Sequence, residues 1–214
     1  MAETPAQPPE RRGATSRASL LLSARRLFSE HGFHGTSVGD IADAAGLRKP
    51  SLFHHFPTKE ALYRAVMDEM FSELATAIAG AASARGTYAE RLDAMNDALV
   101  AFFVAKAEAA RLLFREALEP GTVMKDEGVS RALTILAGAE QFLSEGMAAG
   151  EFIQQDPKQL LLSLTGIHLT YFAIQPLATP IVGMPLSSPA AAKARQDAVR
   201  GQVRAMVVKP KSKR

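Results

Sequence analysis

The 214-residue chain has no cysteine. That excludes a disulfide framework, a thiolate metal site and a cysteine nucleophile. It has no uninterrupted apolar run long enough to cross a bilayer as a helix. Its first residues are polar and proline-rich, without the apolar centre of a signal peptide. A soluble cytoplasmic protein with no membrane partner is expected. Net charge is also scarce: 25 Lys and Arg against 22 Asp and Glu leave +3. That permits nucleic-acid binding without arguing for it, so only local clustering can carry the case. No β-alternation long enough for a strand and no internal repeat is found. The histidines form two close pairs, His31 with His34 and His54 with His55. Adjacent helical residues point about 100° apart, so His54 and His55 cannot share a metal. No carboxylate cluster completes a site. No metal, cofactor or catalytic residue is expected, and the chain does not read as an enzyme.

What is present is helix. From Thr15 to His31, Leu20, Leu21, Ala24, Leu27 and Phe28 recur on one face, and Gly32 is placed as a left-handed cap. Residues 1–13, with Pro5, Pro8, Pro9, Arg11 and Arg12, read as a disordered tail: a solvated terminus, or an arm along phosphate. Ser37 and Asp40 have capping-box spacing and open a second helix with Val38, Ile41 and Ala45 inward. Ala42 is small where a neighbouring helix must come close. Gly46 turns the chain.

The stretch from Gly46 to Pro57 organises the rest. Pro50 suits a first helical position and biases Lys49 away from helical dihedrals, while Pro57 stops the helix near Phe56. So short a helix does not stand alone in water. Leu52 and Phe56, at i and i+4, are its anchors, leaving Pro50, Ser51 and His54 outward. Helix, glycine turn and short second helix make a helix-turn-helix unit, whose second helix lies in the major groove of DNA. Thr58 caps a fourth helix through Leu62, Val66, Met70 and Leu74. Lys59 in its first turn is either a phosphate contact or a solvated lysine beside Glu60.

Taken together, Ala24, Leu27, Phe28, Gly32, Phe33, Thr36-Ser37-Val38, Asp40-Ile41-Ala42, Ala44-Ala45-Gly46-Leu47, Leu52-Phe53-His54-His55-Phe56, Lys59-Glu60 and Leu62 closely resemble the N-terminal signature of the TetR/AcrR family of bacterial transcriptional regulators. The match covers roughly residues 15–65 without a gap. The resemblance implies an all-α fold, with an N-terminal three-helix helix-turn-helix domain (14–74) followed by a helical ligand-binding and dimerisation domain (75–208) and a basic tail (209–214). It implies a homodimer on a near-palindromic double-stranded DNA operator, repression as the usual mode, and release by a small-molecule effector. By position it puts Ser37, Lys49, Ser51, Phe53, His54, His55 and Lys59 at the DNA. In that frame Lys49 can read guanine, Ser51 suits several bases, and Pro50 and Phe53 offer apolar contact to a thymine methyl. His55 and Lys59 suit phosphates. Two departures weaken the match: the family often has Tyr where Phe53 stands and a basic residue where Gly39 stands, leaving Arg48 or the N-terminal arginines to compensate. They also motivate the alternative of a helical ligand-binding protein with weak or lost DNA binding.

In the second half, Thr87 and Glu90 make another capping box, opening a helix with Leu92, Met95, Leu99, Phe102 and Phe103. An amphipathic helix over 106–118 is broken by Pro120-Gly121. A helix from about Ser130 to Ala149 turns Leu133, Leu136, Ala137 and Phe142 inward, and Gly150 closes it. Asp156-Pro157 opens an almost wholly apolar helix, buried on more than one side. Pro176, Pro180 and Pro185 define a loop, and Ser188-Pro189 opens an alanine-rich last helix. His168, Tyr171 and Gln175, with Phe103, Phe114, Met124, Phe142 and Phe172, are candidates for an effector pocket; His168 and Tyr171 read equally as satisfied core or interface residues. Ala190, Ala191, Ala194, Ala198 and Ala205, with Val199, Val203 and Met206, are expected to pack the last two long helices across the dimer axis.

Overall fold

Helix α1 begins earlier than its apolar stripe. In the computed structural model, which describes residues 9–118 and 129–210, α1 runs Pro9–Gly35. Residues 9–13 of the expected tail are therefore helical, while 1–8 lie outside the described residues. Gly32 kinks α1 rather than capping it. Its φ of 73° and ψ of 176° form an extended left-hand conformation open essentially to glycine, and one more turn follows. Thr36, buried, clamps that turn by donating its hydroxyl to the carbonyls of Gly32 (2.8 Å) and Leu27 (3.2 Å).

Helix α2 (Val38–Ala44) starts at the expected capping box, with Ser37 and Asp40 bonded to each other's backbone N–H. Gly46, at φ 67°, makes the turn. Helix α3 (Lys49–His55) has Arg48 as its N-cap, so Lys49 is helical after all and Pro50 sits one position further in. An N–H is not needed there either, because the first four helical amides have no partner within the helix. Helix α4 (Lys59–Ala82) is capped by Thr58, whose hydroxyl accepts from the Ala61 N–H.

The remaining helices are α5 (Tyr88–Ala105), α6 (Ala107–Leu118), α7 (Val129–Ala148), α8 (Pro157–Ala173), α9 (Gln175–Val182) and α10 (Pro189–Val207). Helix α9 replaces the expected proline loop. Pro176 lies in its first turn, and α9 leaves α8 at 84°. The Pro120-Gly121 break and Met124 fall outside the described residues. Among the described residues there is no strand, only a single bridge between Phe152 and Val208.

One apolar core runs from α1–α4 into α5, α6 and α8, where Phe28, Met70, Phe103 and Leu112 belong to the same buried cluster. A second joins α5, α7, α8 and α10 around Phe142, Phe152, Val199 and Val203. Two packing expectations change. Leu133 and Ala137 of α7 face outward, and Ala132, Ile135 and Ala139 take the inner side. Helix α8 is buried on more than one side, as expected, and leaves one face open at Leu162. Val199 and Val203 are fully buried within the subunit, held by Phe152 and its neighbours, so they cannot contact a second copy; Met206 remains exposed.

Candidate functional site

Helix α3 has a buried side and an open side. Leu52 is 0% exposed and Phe56 4%, both within the α1–α4 core. Arg48, Lys49, Pro50, Phe53 and His54 are exposed, Ser51 and His55 half-buried, and Phe53 keeps 46% of its surface in solvent. Ser37, at the start of α2, is exposed, and Lys59, at the start of α4, is half-buried. The Lys59 ammonium stands 4.4 Å from the ring centre of Phe33, which fixes its stem without neutralising it.

Two arrangements here were not read from the sequence. Lys49 reaches back from α3 over Gly39: a Cβ on Gly39 would meet Lys49 Cε at 2.7 Å. The missing side chain at position 39 is thus the space that admits Lys49. Arg17 of α1 places its guanidinium 5.2 Å from the centre of the Phe56 ring, adding a cation beside α3. Asp40 is engaged with Ser37, whose side-chain and backbone hydrogen bonds hold its carboxyl below the usual range, with smaller help from His31 and Lys49.

The second half contains a cavity of about 280 Å³. Helices α4, α5, α6, α7 and α8 all contribute walls, among them Phe71, Leu92, Phe103, Leu113, Ile135 and Leu164. Of the expected effector residues, Phe103, Phe142 and His168 line it; Phe114, Tyr171, Phe172 and Gln175 do not. The lining face of α8 is Leu161, Leu164, Thr165, His168 and Leu169, successive turns of one side. Tyr171 turns off that face and lies under the Arg195 guanidinium at 4.1 Å. Phe172 packs its ring, tilted, against that of Phe103 at 5.5 Å in the core. Asn96 is a polar lining residue that sequence reasoning missed. Its signal was a lone amide on an apolar stripe, between Leu92 and Leu99. His168 Nε2 lies 2.9 Å from Asn96 Oδ1, and both residues are 4% exposed. Burial, and then the charge of Arg195, push His168 down to about 4, so the ring is neutral.

Helix α6 carries a cavity wall and also grips α1. Arg115 donates to the Glu30 carbonyl at 3.3 Å and Arg111 to the Ser29 hydroxyl at 3.4 Å. Buried Glu116 accepts from the Tyr63 hydroxyl of α4, and burial first, then Glu116, pushes that phenol well above its ordinary range.

Residues 20–66 match the model of bacterial regulatory proteins of the tetR family, and residues 89–203 match the tetracyclin repressor-like C-terminal domain. The transcriptional regulator RutR of Escherichia coli K12 is 25% identical over 175 residues, 81% of each chain. The transcriptional activator FasR of Mycolicibacterium smegmatis is 33% identical over 98 residues, which span 46% of this chain and only 45% of FasR. The repressor KstR2 of Rhodococcus jostii is 40% identical over 75 residues, 33% of this chain and 37% of KstR2. Among solved structures, AibR in complex with isovaleryl coenzyme A and operator DNA superposes with a TM-score of 0.72 at 19% identity, covering 88% of this chain and 97% of AibR. That likeness is one of fold. Both halves of the chain match regulator models and the curated relatives are regulators rather than enzymes: the chain belongs to the TetR family of bacterial transcriptional regulators.

Proposed function

We propose that this regulator binds a near-palindromic operator as a homodimer, acting as a repressor, and is released when a small apolar or amphipathic effector enters the cavity of its second half. The observation that carries the DNA side is the two-faced α3, with Leu52 and Phe56 sealed in the core. Pro50, Ser51, Phe53 and His54 then meet base edges, while Ser37, Arg48, Lys49, His55 and Lys59 meet phosphates or adjoining bases. Lys49 over Gly39 speaks against lost DNA binding, because it returns a cation to the place where the family often carries one.

The helix-turn-helix unit occupies about residues 14–74 and the regulatory part about 75–208. Two copies meet through the open faces of α8 and α10, where Leu162 and Met206 are exposed beside Ala194, Ala198 and Ala205. Half-sites then lie one or more turns apart, ~34–36 Å per turn.

The effector couples to DNA through α4 and α6. Phe71 and Leu74 of α4 and Leu113 and Ala117 of α6 line the cavity, and the same helices hold Tyr63 and Glu116 against the DNA-binding half. A ligand that prefers the wider-spaced dimer needs a coupling of ~1–3 kcal/mol to change operator affinity 5–150-fold. Selection of duplexes from a random pool with the full chain tests the reading. An enriched near-palindrome is expected; a pool that stays random supports a ligand-binding protein without an operator.

A further inference from the structure

Beside the chamber lies a second cavity of about 440 Å³, walled by α4, α5 and α7. Ile78, Met95, Ile135, Ala139 and Phe142 line both. The first has no Lys, Arg, Asp or Glu in its described lining, whereas the second has Arg91 and Glu145. Arg91 is half-buried and held in place. Its Nε donates to the Ala82 carbonyl, at the end of α4, at 2.6 Å. Its guanidinium stands 4.7 Å from the ring centre of Tyr88 and 5.0 Å from that of Phe142, a wall of both cavities. None of these contacts cancels its charge, and its Nη atoms have no hydrogen bond or ion pair among the described residues. Glu145 is occupied: one oxygen accepts from Gln141 Nε2 at 2.9 Å and the other from the Tyr88 hydroxyl at 3.4 Å. The lining hydroxyls of Ser83 and Thr134 are turned onto nearby carbonyls, those of Ala79 and Ser130. The guanidinium edge is thus the charged group of the described lining left without a counter-ion, fixed over an apolar wall.

We infer that this second cavity takes an apolar molecule ending in a carboxylate, whose oxygens accept from the Arg91 Nη atoms while its chain lies along Ile78, Met95, Ile135 and Phe142. The inference rests on the effector-responsive reading above and names the class of effector. Arginine stays charged at any working pH, and its planar fork pairs with a carboxylate through two parallel bonds. Using Nε at Ala82 leaves the outer edge, Nη1 and Nη2, for that pairing. An ammonium would meet a like charge there. A hydroxyl would leave the guanidinium without a counter-ion. A doubly charged phosphate would bring a second negative charge that one guanidinium does not offset, with Glu145 in the same lining. The apolar walls suit a hydrocarbon chain and give no second polar group to a ligand with charges at both ends. The volume, about 440 Å³, is nearly three times the ~150 Å³ of an engineered apolar cavity that admits benzene, so a chain of medium length fits.

The test is equilibrium dialysis of the full chain against octanoate, octylamine and 1-octanol at about pH 7.5, where the acid is ionised and the amine protonated. Octanoate is expected to bind with a dissociation constant about tenfold below that of octylamine. Arg91→Gln should weaken octanoate about tenfold and leave 1-octanol within roughly twofold. Loss of the Ala82 tether alone would not separate them, since a distorted cavity weakens both. Thr134→Glu, at an exposed wall position, adds a carboxylate without touching that tether. It should weaken octanoate and strengthen octylamine, and it carries the test if Arg91→Gln fails to fold. Octylamine equal to or tighter than octanoate in the unaltered chain overturns the proposal. So does octanoate binding that survives Arg91→Gln, an equal loss of octanoate and 1-octanol, octanoate binding unmoved by Thr134→Glu, or failure of octanoate to bind. Duplex selection on the same preparation is scored separately. An enriched palindrome with octylamine preferred overturns the ligand class alone, whereas an unenriched pool overturns the operator reading and leaves the order of binding to stand.

Discussion

Lys49 lies across Gly39, close enough that a Cβ on the glycine would come within 2.7 Å of Lys49 Cε and 3.0 Å of its Nζ. A helix position lacking a side chain thereby houses the stem of a lysine from the next helix. Its ammonium sits near the start of α2 rather than over the outer face of α3. Lys49→Ala should weaken operator binding by a similar factor across base-substituted sites and lower the slope of log K against log salt by about 1. An unchanged slope with lost discrimination at a single base pair would instead make Lys49 a base reader.

Neighbours on α3 should separate stability from affinity. Leu52→Ala empties a fully buried position and should cost about 2–5 kcal/mol in denaturant unfolding, because α3 has no stability of its own. Phe53→Ala, 46% exposed, should change unfolding by no more than about 0.5 kcal/mol yet weaken the operator complex measured by fluorescence anisotropy.

His168 should make stability pH-dependent. Its pKa falls from 6.5 to about 4 on folding, so the unfolded chain takes up the proton first as pH drops. The neutral buried ring then contributes up to about 3 kcal/mol that is present above pH 6.5 and lost as pH falls toward 4. Unfolding free energies measured from about pH 7 to 5 should decline, and His168→Phe should flatten that decline.

The open faces of α8 and α10 should govern assembly. Leu162 is 62% exposed, on a helix face whose other sides are packed. Leu162→Glu should shift sedimentation toward monomer and weaken the operator complex, since each half-site needs its own subunit. A dimer unchanged in sedimentation would put the interface elsewhere.

Local rules made much of this legible. Both capping boxes, Ser37–Asp40 and Thr87–Glu90, form as their spacing predicts, because their partners lie three residues apart. The anchors Leu52 and Phe56 follow from helical period alone. What depends on long-range packing was less visible. Leu133 and Ala137 point out because α7 meets its neighbours on the Ala132–Ile135–Ala139 side. Val199 and Val203 were equally apt for an interface or a core, and only the position of Phe152 decides. Residues 175–182 form a helix because Pro176 sits in its first turn, where a proline forfeits no hydrogen bond, and Pro180 lies inside it without ending it. At the cavity, His168 was legible as a polar group on an apolar helix. Its partner Asn96 lies 72 positions away in the chain, so their pairing had no local signature.

The outer side of α3 is proposed to read DNA sequence. The most direct measurement repeats duplex selection with a Ser51→Ala, His54→Ala double variant, both residues lying opposite the buried Leu52. The expected result is a near-palindrome whose preference is relaxed at the same one or two positions of each half-site, with flanking positions unchanged. Recovery of the original operator with undiminished preference at every position would contradict it.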